Sequence, residues 1–286
     1  MIIEPAEYLE HAEKLSSSGI MGLERLLTNT DDKLRDELLH YIGIFADAVQ
    51  IFEEDRIKQK CDQIERYHWT ILHQRNTGIY AKIYADKISH DEKGYYNEKI
   101  NLPTDLFFGM GLLHDIGKLV MGTPKRLDKK LEGEDLEKLK NDHIEIGPKY
   151  FCTNVVSGLD YLYYWHLLNT IRFHHEKKDG TGYPMGLKDD MVFGYLQIIM
   201  LADFLDAATL ERSYHKENGF EVKTEEGAKD FAKQRNFNKL IDKQIFNCFL
   251  NTSVVHPQLL DPDILVPGED FYKSYHPHIF RGDNHE

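Results

Sequence analysis

His174 and His175 are adjacent, close a stretch of helical periodicity and run straight into Glu176-Lys177-Lys178-Asp179-Gly180-Thr181-Gly182-Tyr183-Pro184. Two neighbouring imidazoles on an apolar-flanked segment are costly to desolvate unless both nitrogens have work to do. Metal ligation supplies that work, with the glycine-punctuated loop as one wall over the ion. Three other segments hold ligand residue types in apolar surroundings: Leu112-Leu113-His114-Asp115-Ile116-Gly117-Lys118, Asn141-Asp142-His143-Ile144-Glu145-Ile146-Gly147, and Ala202-Asp203-Phe204-Leu205-Asp206-Ala207. Successive residues on a helix lie about 100° apart, so His114 and Asp115 can both reach one ion, or Asp115 can bridge two. Lys118 shares their face and can meet a phosphate oxygen beside the metal.

Each segment alone has a plainer explanation. A His-Asp pair is commonly a satisfied buried hydrogen bond, and a histidine at a helix start, as His143 reads, is commonly a cap or a surface residue. Asp203 falls on the core side after Ile199, where a lone carboxylate needs a cation or several donors. Taken together, the segments offer neutral imidazoles and hard carboxylates with no thiolate. That set suits iron, manganese or zinc better than calcium or magnesium, and it argues against a structural zinc site. Two ions sharing a carboxylate imply hydrolysis by a metal-bound hydroxide.

The elements that position these residues read as helices throughout, with no convincing alternating strand. Leu34, Leu38, Ile42, Phe45, Val49 and Phe52 form an amphipathic stripe with Asp31 or Asp32 as its N-cap. The near-heptad spacing admits a homodimer seam, and intramolecular packing is the plainer alternative. A long helix is expected over 55–88, broken at Gly78, followed by a loop or insertion over 89–103. Further helices are expected over 104–120, from His143 to Phe151, over 159–176 and over 193–209. Lys125 to Asp142 reads as a solvated charged face, and the proline-bearing tail after Thr252 as irregular. The fold class is thus all-α, a helical bundle of residues 61–286 preceded by a small helical N-terminal region, 1–60, with a regulatory or dimerising role.

Bulk properties bound the function. The 286 residues can bury a substantial core, and a net charge of −13 offers no basic field for DNA or RNA duplexes. An acidic chain still binds a phosphorylated ligand where metal ions reverse the local potential. Cys61, Cys152 and Cys248 are few and widely spaced, which fits a reducing compartment. No membrane span or signal peptide is read from the sequence, so a cytoplasmic setting is expected.

The ordered set His…His-Asp…His…His-His…Asp resembles the HD phosphohydrolase superfamily, and His-His-Glu-x-x-Asp-Gly-Thr-Gly-Tyr-Pro resembles its HD-GYP branch, over roughly residues 62–250. That resemblance implies an HD-type bundle and a phosphodiesterase that opens cyclic di-GMP to pGpG and/or GMP through a metal-bridging hydroxide. It implies two divalent metal ions, iron or manganese by preference with zinc admissible, held by His73, His114, Asp115, His143, His174, His175 and Asp203, Asp115 bridging. His73 enters only through the resemblance, with His68 as its competitor. A third ion is disfavoured because Trp69 stands where some members carry a glutamate. Lys118 and Arg212, assisted by Lys216, would hold phosphate oxygens, although Ser213 replaces the proline of the family's Arg-Pro-Tyr. Gly182, Tyr183 and Pro184 would shape the substrate wall. Tyr183 could stack on a base or simply plug the turn, and Glu176 and Asp179 would orient ligands or loop. Two alternatives remain at this level: an HD-type hydrolase for another cyclic dinucleotide or nucleotide, and a sensor that binds cyclic di-GMP without turnover.

Overall fold

The structure is a computed structural model that describes residues 31–58, 64–122, 132–155, 160–210 and 223–254. Among the described residues the regular elements are helical, apart from an isolated antiparallel bridge between Asp179 and Lys188. Helix α1 (Asp32–Lys58) starts where the Asp31 carboxylate accepts from the backbone N–H of Lys33 (3.1 Å) and Leu34 (3.4 Å), as an N-cap does. Of its stripe, Leu34, Leu38, Ile42 and Val49 are buried in the same core as the later helices and Phe45 packs against that core, while the side chain of Phe52 lies outside the described residues.

Helix α2 (Ile64–Asp91) runs unbroken through Gly78, contrary to the expected break. A Cβ on Gly111 would lie 2.5 Å from Gly78 Cα, so the two glycines let α2 touch α4 (Leu106–Leu113) backbone to backbone. The polar stretch 89–103 is likewise not a loop throughout: it prolongs α2 and then forms α3 (Lys93–Lys99). The reason is its minority of apolar residues. Tyr96, Ile100 and Leu102 are buried, and the Tyr96 hydroxyl donates to Leu102 O at 2.7 Å.

The single helix expected over 104–120 is two, α4 and α5 (Ile116–Val120), and the chain turns between them at His114–Asp115. Asp115 sits at φ −106°, ψ 17°, outside the helical region. A turn, rather than helical phase, therefore aims this pair inward. Helix α6 (Gly133–Asn154) begins well before His143, which is a mid-helix residue and not a helix start; the charged first turns are exposed and the change to burial comes at His143 and Ile144. Helix α7 (Tyr161–Phe173) is capped by Asp160, whose carboxylate accepts from Leu162 N at 2.9 Å, and it ends three residues short of Glu176, with His174 as C-cap. Helix α8 (Gly194–Thr209) matches its expected span, and α9 (Glu225–Gln234) and α10 (Lys243–Asn251) complete the described chain. The proline-bearing tail and residues 1–30 lie outside the described residues.

Helix α2 is central, packing chiefly on α4 and α8, while α5 lies on α6, α6 on α7, and α1 on both α4 and α5. The ends and faces that meet at the His114–Asp115 turn carry the polar residues singled out above.

Candidate metal centre

The seven ligand residues proposed from sequence meet in two groups, Asp115 with His143, His174 and His175, and His73 with His114 and Asp203; within each group the ligand atoms lie within 4.8 Å of one another. Asp115 joins the groups. Its Oδ1 is 3.5 Å from both His143 Nε2 and His174 Nε2, and its Oδ2 is 3.4 Å from His114 Nε2 and 3.7 Å from His73 Nε2. One oxygen faces each group.

The helices set the tautomers. His143 Nδ1 lies 2.7 Å from Leu139 O and His174 Nδ1 3.0 Å from Thr170 O, each four residues back, and His114 Nδ1 lies 2.7 Å from Gly111 O. A carbonyl only accepts, so each Nδ1 carries the proton and each Nε2 presents a lone pair inward. His114 Nε2, His143 Nε2, His174 Nε2 and Asp115 Oδ1 are all buried with no hydrogen-bond partner. Lone pairs facing lone pairs at these separations are unfavourable unless a cation stands between them. The donor set therefore fits divalent metal.

His73 is held differently. Its Nδ1 donates to Asp206 Oδ2 at 2.7 Å, its Nε2 is 3.1 Å from Asp203 Oδ1, and Asn76 Nδ2 donates to Asp206 Oδ1 at 2.7 Å. Burial alone would depress the His73 imidazole, but the hydrogen bonds to Asp203 and Asp206 outweigh it and raise the group to about 9. Burial pushes His143 down to about 3, and it drives His114 and His175 below the ordinary histidine range as well. Burial would raise Asp115, yet the Lys118 ammonium and His114 hold it well below the usual carboxylate range. Lys118 donates directly to Asp115 Oδ2 and keeps 22% of its side chain exposed, enough to meet a ligand.

Gly117 sets the approach of α5 to α6. A Cβ there would lie 2.0 Å from His143 O, so any side chain would part the two helices that carry Asp115 and His143.

The loop after His175 forms the wall. Tyr183 stacks on the His175 ring with centroids 4.5 Å apart, and Pro184 is exposed beyond it. Glu176 is buried and its two oxygens accept from Met185 N (2.5 Å) and Leu187 N (2.8 Å), while Asp179 Oδ1 accepts from Thr181 N (2.9 Å) and Thr181 Oγ1 (2.7 Å). Both acids thus shape the loop. A Cβ at Gly182 would meet Lys177 N at 2.4 Å, and Gly180 has φ +80°, so the two glycines are needed for different reasons. Arg212, Lys216 and Ser213 lie outside the described residues, as do the side chains of His68 and Trp69.

The roles of Asp206 and Asn76 were not legible from the sequence. A second carboxylate one helical turn after Asp203, in so apolar a helix as α8, was the available signal for Asp206. Asn76 gave none.

Residues 70–208 match the HD domain family. Among curated proteins, the chain is 30% identical over 149 residues to a cyclic di-GMP phosphodiesterase of Pseudomonas aeruginosa, covering 51% of this chain and 32% of that protein. It is 30% identical over 206 residues to a probable cyclic di-GMP phosphodiesterase of Vibrio cholerae, covering 66% and 42%. It is also 24% identical over 202 residues to 3'3'-cGAMP-specific phosphodiesterase 2 of Vibrio cholerae, covering 68% and 36%. The chain spans about a third to two fifths of the length of these relatives. Among the described residues no helix is long and apolar enough to cross a membrane.

Proposed function

From the match of residues 70–208 to the HD domain family we propose that the chain is a metal-dependent phosphodiesterase that hydrolyses cyclic di-GMP to pGpG and/or GMP. The observation that carries this reading is Asp115, which turns one oxygen toward each of two ligand groups, with the Nε2 atoms of His114, His143 and His174 buried around it without a hydrogen-bond partner. His73, His114 and Asp203 would hold one ion and His143, His174 and His175 the other, with Asp115 shared. Two divalent ions, iron or manganese by preference, would supply an activated water and neutralise charge developing on the phosphate.

The chain's own residues do the rest. Backbone carbonyls and Asp206 fix the imidazole rings, so the ligand atoms need no reorganisation when substrate arrives. The Lys118 ammonium, paired with Asp115, would hold a non-bridging phosphate oxygen. Tyr183 and its glycines would present the wall against which a base lies, and Arg212 and Lys216 would add phosphate contacts. Cys152 and Cys248 are free thiols, which supports a cytoplasmic setting. Helix α1 packs on α4 and α5, and through that contact a regulatory N-terminal region would act on the site.

A second reading, hydrolysis of 3'3'-cGAMP, is favoured by the Vibrio cholerae relative of that name. The test is to reconstitute the protein with manganese or ferrous iron, supply each cyclic dinucleotide and separate the products. Linear pGpG or GMP from cyclic di-GMP is expected. Turnover of 3'3'-cGAMP alone would favour the second reading, and tight binding without products would make the chain a sensor.

A further inference from the structure

Asp242 is the N-cap residue of α10, yet its carboxylate makes no capping hydrogen bond to that helix. Aspartate at this position ordinarily satisfies the first free N–H groups of its own helix. Here the carboxylate points back into the protein and takes other donors. Lys178 Nζ donates to Oδ1, the Tyr95 hydroxyl donates to Oδ2 at 2.6 Å, and Gln197 Nε2 lies 3.3 Å from Oδ2. The backbone N–H of Asp242 donates to Gln197 Oε1 at 2.6 Å.

Tyr95 comes from α3, and the other two partners, Lys178 and Gln197, lead to the two ends of the loop that walls the histidine cluster. Lys178 stands at its start, and its own N–H donates to Leu240 O at 3.0 Å, two residues before Asp242. Gln197 Nε2 also donates to Val192 O at 2.8 Å, at the end of the loop. Gln197 is itself 1% exposed among the apolar residues of the first turns of α8, where these bonds satisfy its amide. Between the two ends, Glu176, Asp179 and the Asp179–Lys188 bridge make the loop a self-consistent lobe. They fix its shape. Leu187 and Val192 pack on the core and Tyr183 on His175, while the hydrogen bonds of the two ends both lead to Asp242.

We infer that Asp242 is the positioning residue of the 176–192 loop: by tying Lys178 directly and Val192 through Gln197, it seats Tyr183 over His175 and thereby sets affinity for the cyclic dinucleotide. It touches neither the ligand residues nor the space between them. Residues 70–208 do not include it, so a segment beyond the matched domain completes the substrate wall. This inference rests on the proposed phosphodiesterase activity for its kinetic readout.

The experiment uses Asp242→Asn in the full chain, because asparagine keeps the shape of the side chain but removes its charge and one of the two oxygens to which Lys178, Tyr95 and Gln197 donate. With cyclic di-GMP the expected result is a KM raised about tenfold with kcat within about threefold, the scale of one charge-assisted hydrogen bond. Metal content should equal wild type, and turnover of bis(p-nitrophenyl) phosphate, which has no base to place, should shift by less than about twofold. Lys178→Met should give the same KM change, and the double variant should add little to either. An unchanged KM, or lost metal with a fallen kcat, overturns the assignment. If wild type hydrolyses neither diester, the functional reading fails, and amide exchange over residues 181–187 then decides the inference. Asp242→Asn should speed that exchange about tenfold, and unchanged exchange overturns it.

Discussion

In the histidine cluster, buried nitrogens and a carboxylate oxygen face one another with no protein donor between them. In the adjoining loop, Glu176 and Asp179 accept from neighbouring backbone N–H groups, and Asp242, beyond the loop, accepts from Lys178 and Tyr95. The two regions touch at the stacked His175 and Tyr183 rings, yet they solve opposite problems. The cluster keeps ligand atoms available and is completed only by cations, whereas the loop satisfies itself and lends a fixed shape. The chemistry of reaction and the recognition of substrate are therefore separable by mutation.

The largest effect that would sharpen this division comes from Asp115→Ala. Turnover should fall by roughly a thousandfold or more and metal content should drop, because the oxygens facing both groups are removed. Wild-type activity and metal stoichiometry in that variant would end the two-ion assignment. Asp206→Ala comes next: it frees the His73 ring and should weaken metal binding about 10- to 100-fold in a metal titration, while exchange in the loop stays slow. Glu176→Gln should do the reverse. It puts an N–H donor against the Met185 or Leu187 N–H, so KM for the dinucleotide should rise about tenfold with metal content unchanged. Loss of metal from that variant would break the division.

A smaller effect concerns acid. In the metal-free protein His143 is held at about 3, below the ordinary unfolded value of about 6.5, so the unfolded chain takes up the proton first and stability falls as pH drops from about 6.5 toward 3. Burial would raise Asp242, but its bonds to Lys178 and Tyr95 prevail and its carboxyl lies below the usual range. Its stabilisation is complete above the unfolded carboxylate value of about 3.9 and is lost only as pH falls through the lower folded value. Amide exchange followed downward from pH 7 should thus loosen α6 before residues 176–192. Simultaneous loosening would show that the two regions are one unit.

Much of the cluster could be read from residue type and order, because imidazoles and carboxylates in apolar helices are costly without a purpose. The structure brings together His114, Asp115, His143, His174, His175 and Asp203, and with them His73, which only the family resemblance supplied. Helical periodicity also located α1 and α8 closely. It failed where short-range geometry overrides pattern. The turn at His114–Asp115 leaves no break in hydrophobicity, since α4 and most of α5 are buried and apolar on both sides of it. Gly78 read as a helix breaker because its partner surface, the backbone around Gly111, is 33 positions away in the chain. His143 read as a helix start because the preceding turns are solvated and carry no apolar stripe. Asp242 carries no sequence signal of its own, because its partners Tyr95, Lys178 and Gln197 come from three other segments.

The contact at Gly117 bears on which ions the site would accept. With no side chain between α5 and α6, the gap between the turn holding Asp115 and the helix holding His143 is set by the thickness of two backbones. Rotamer changes cannot widen such a gap by small steps, as they can where side chains separate helices. A side chain at position 117 would therefore reset the spacing of Asp115 and His143, and with it the fit to an ion, only by parting whole helices.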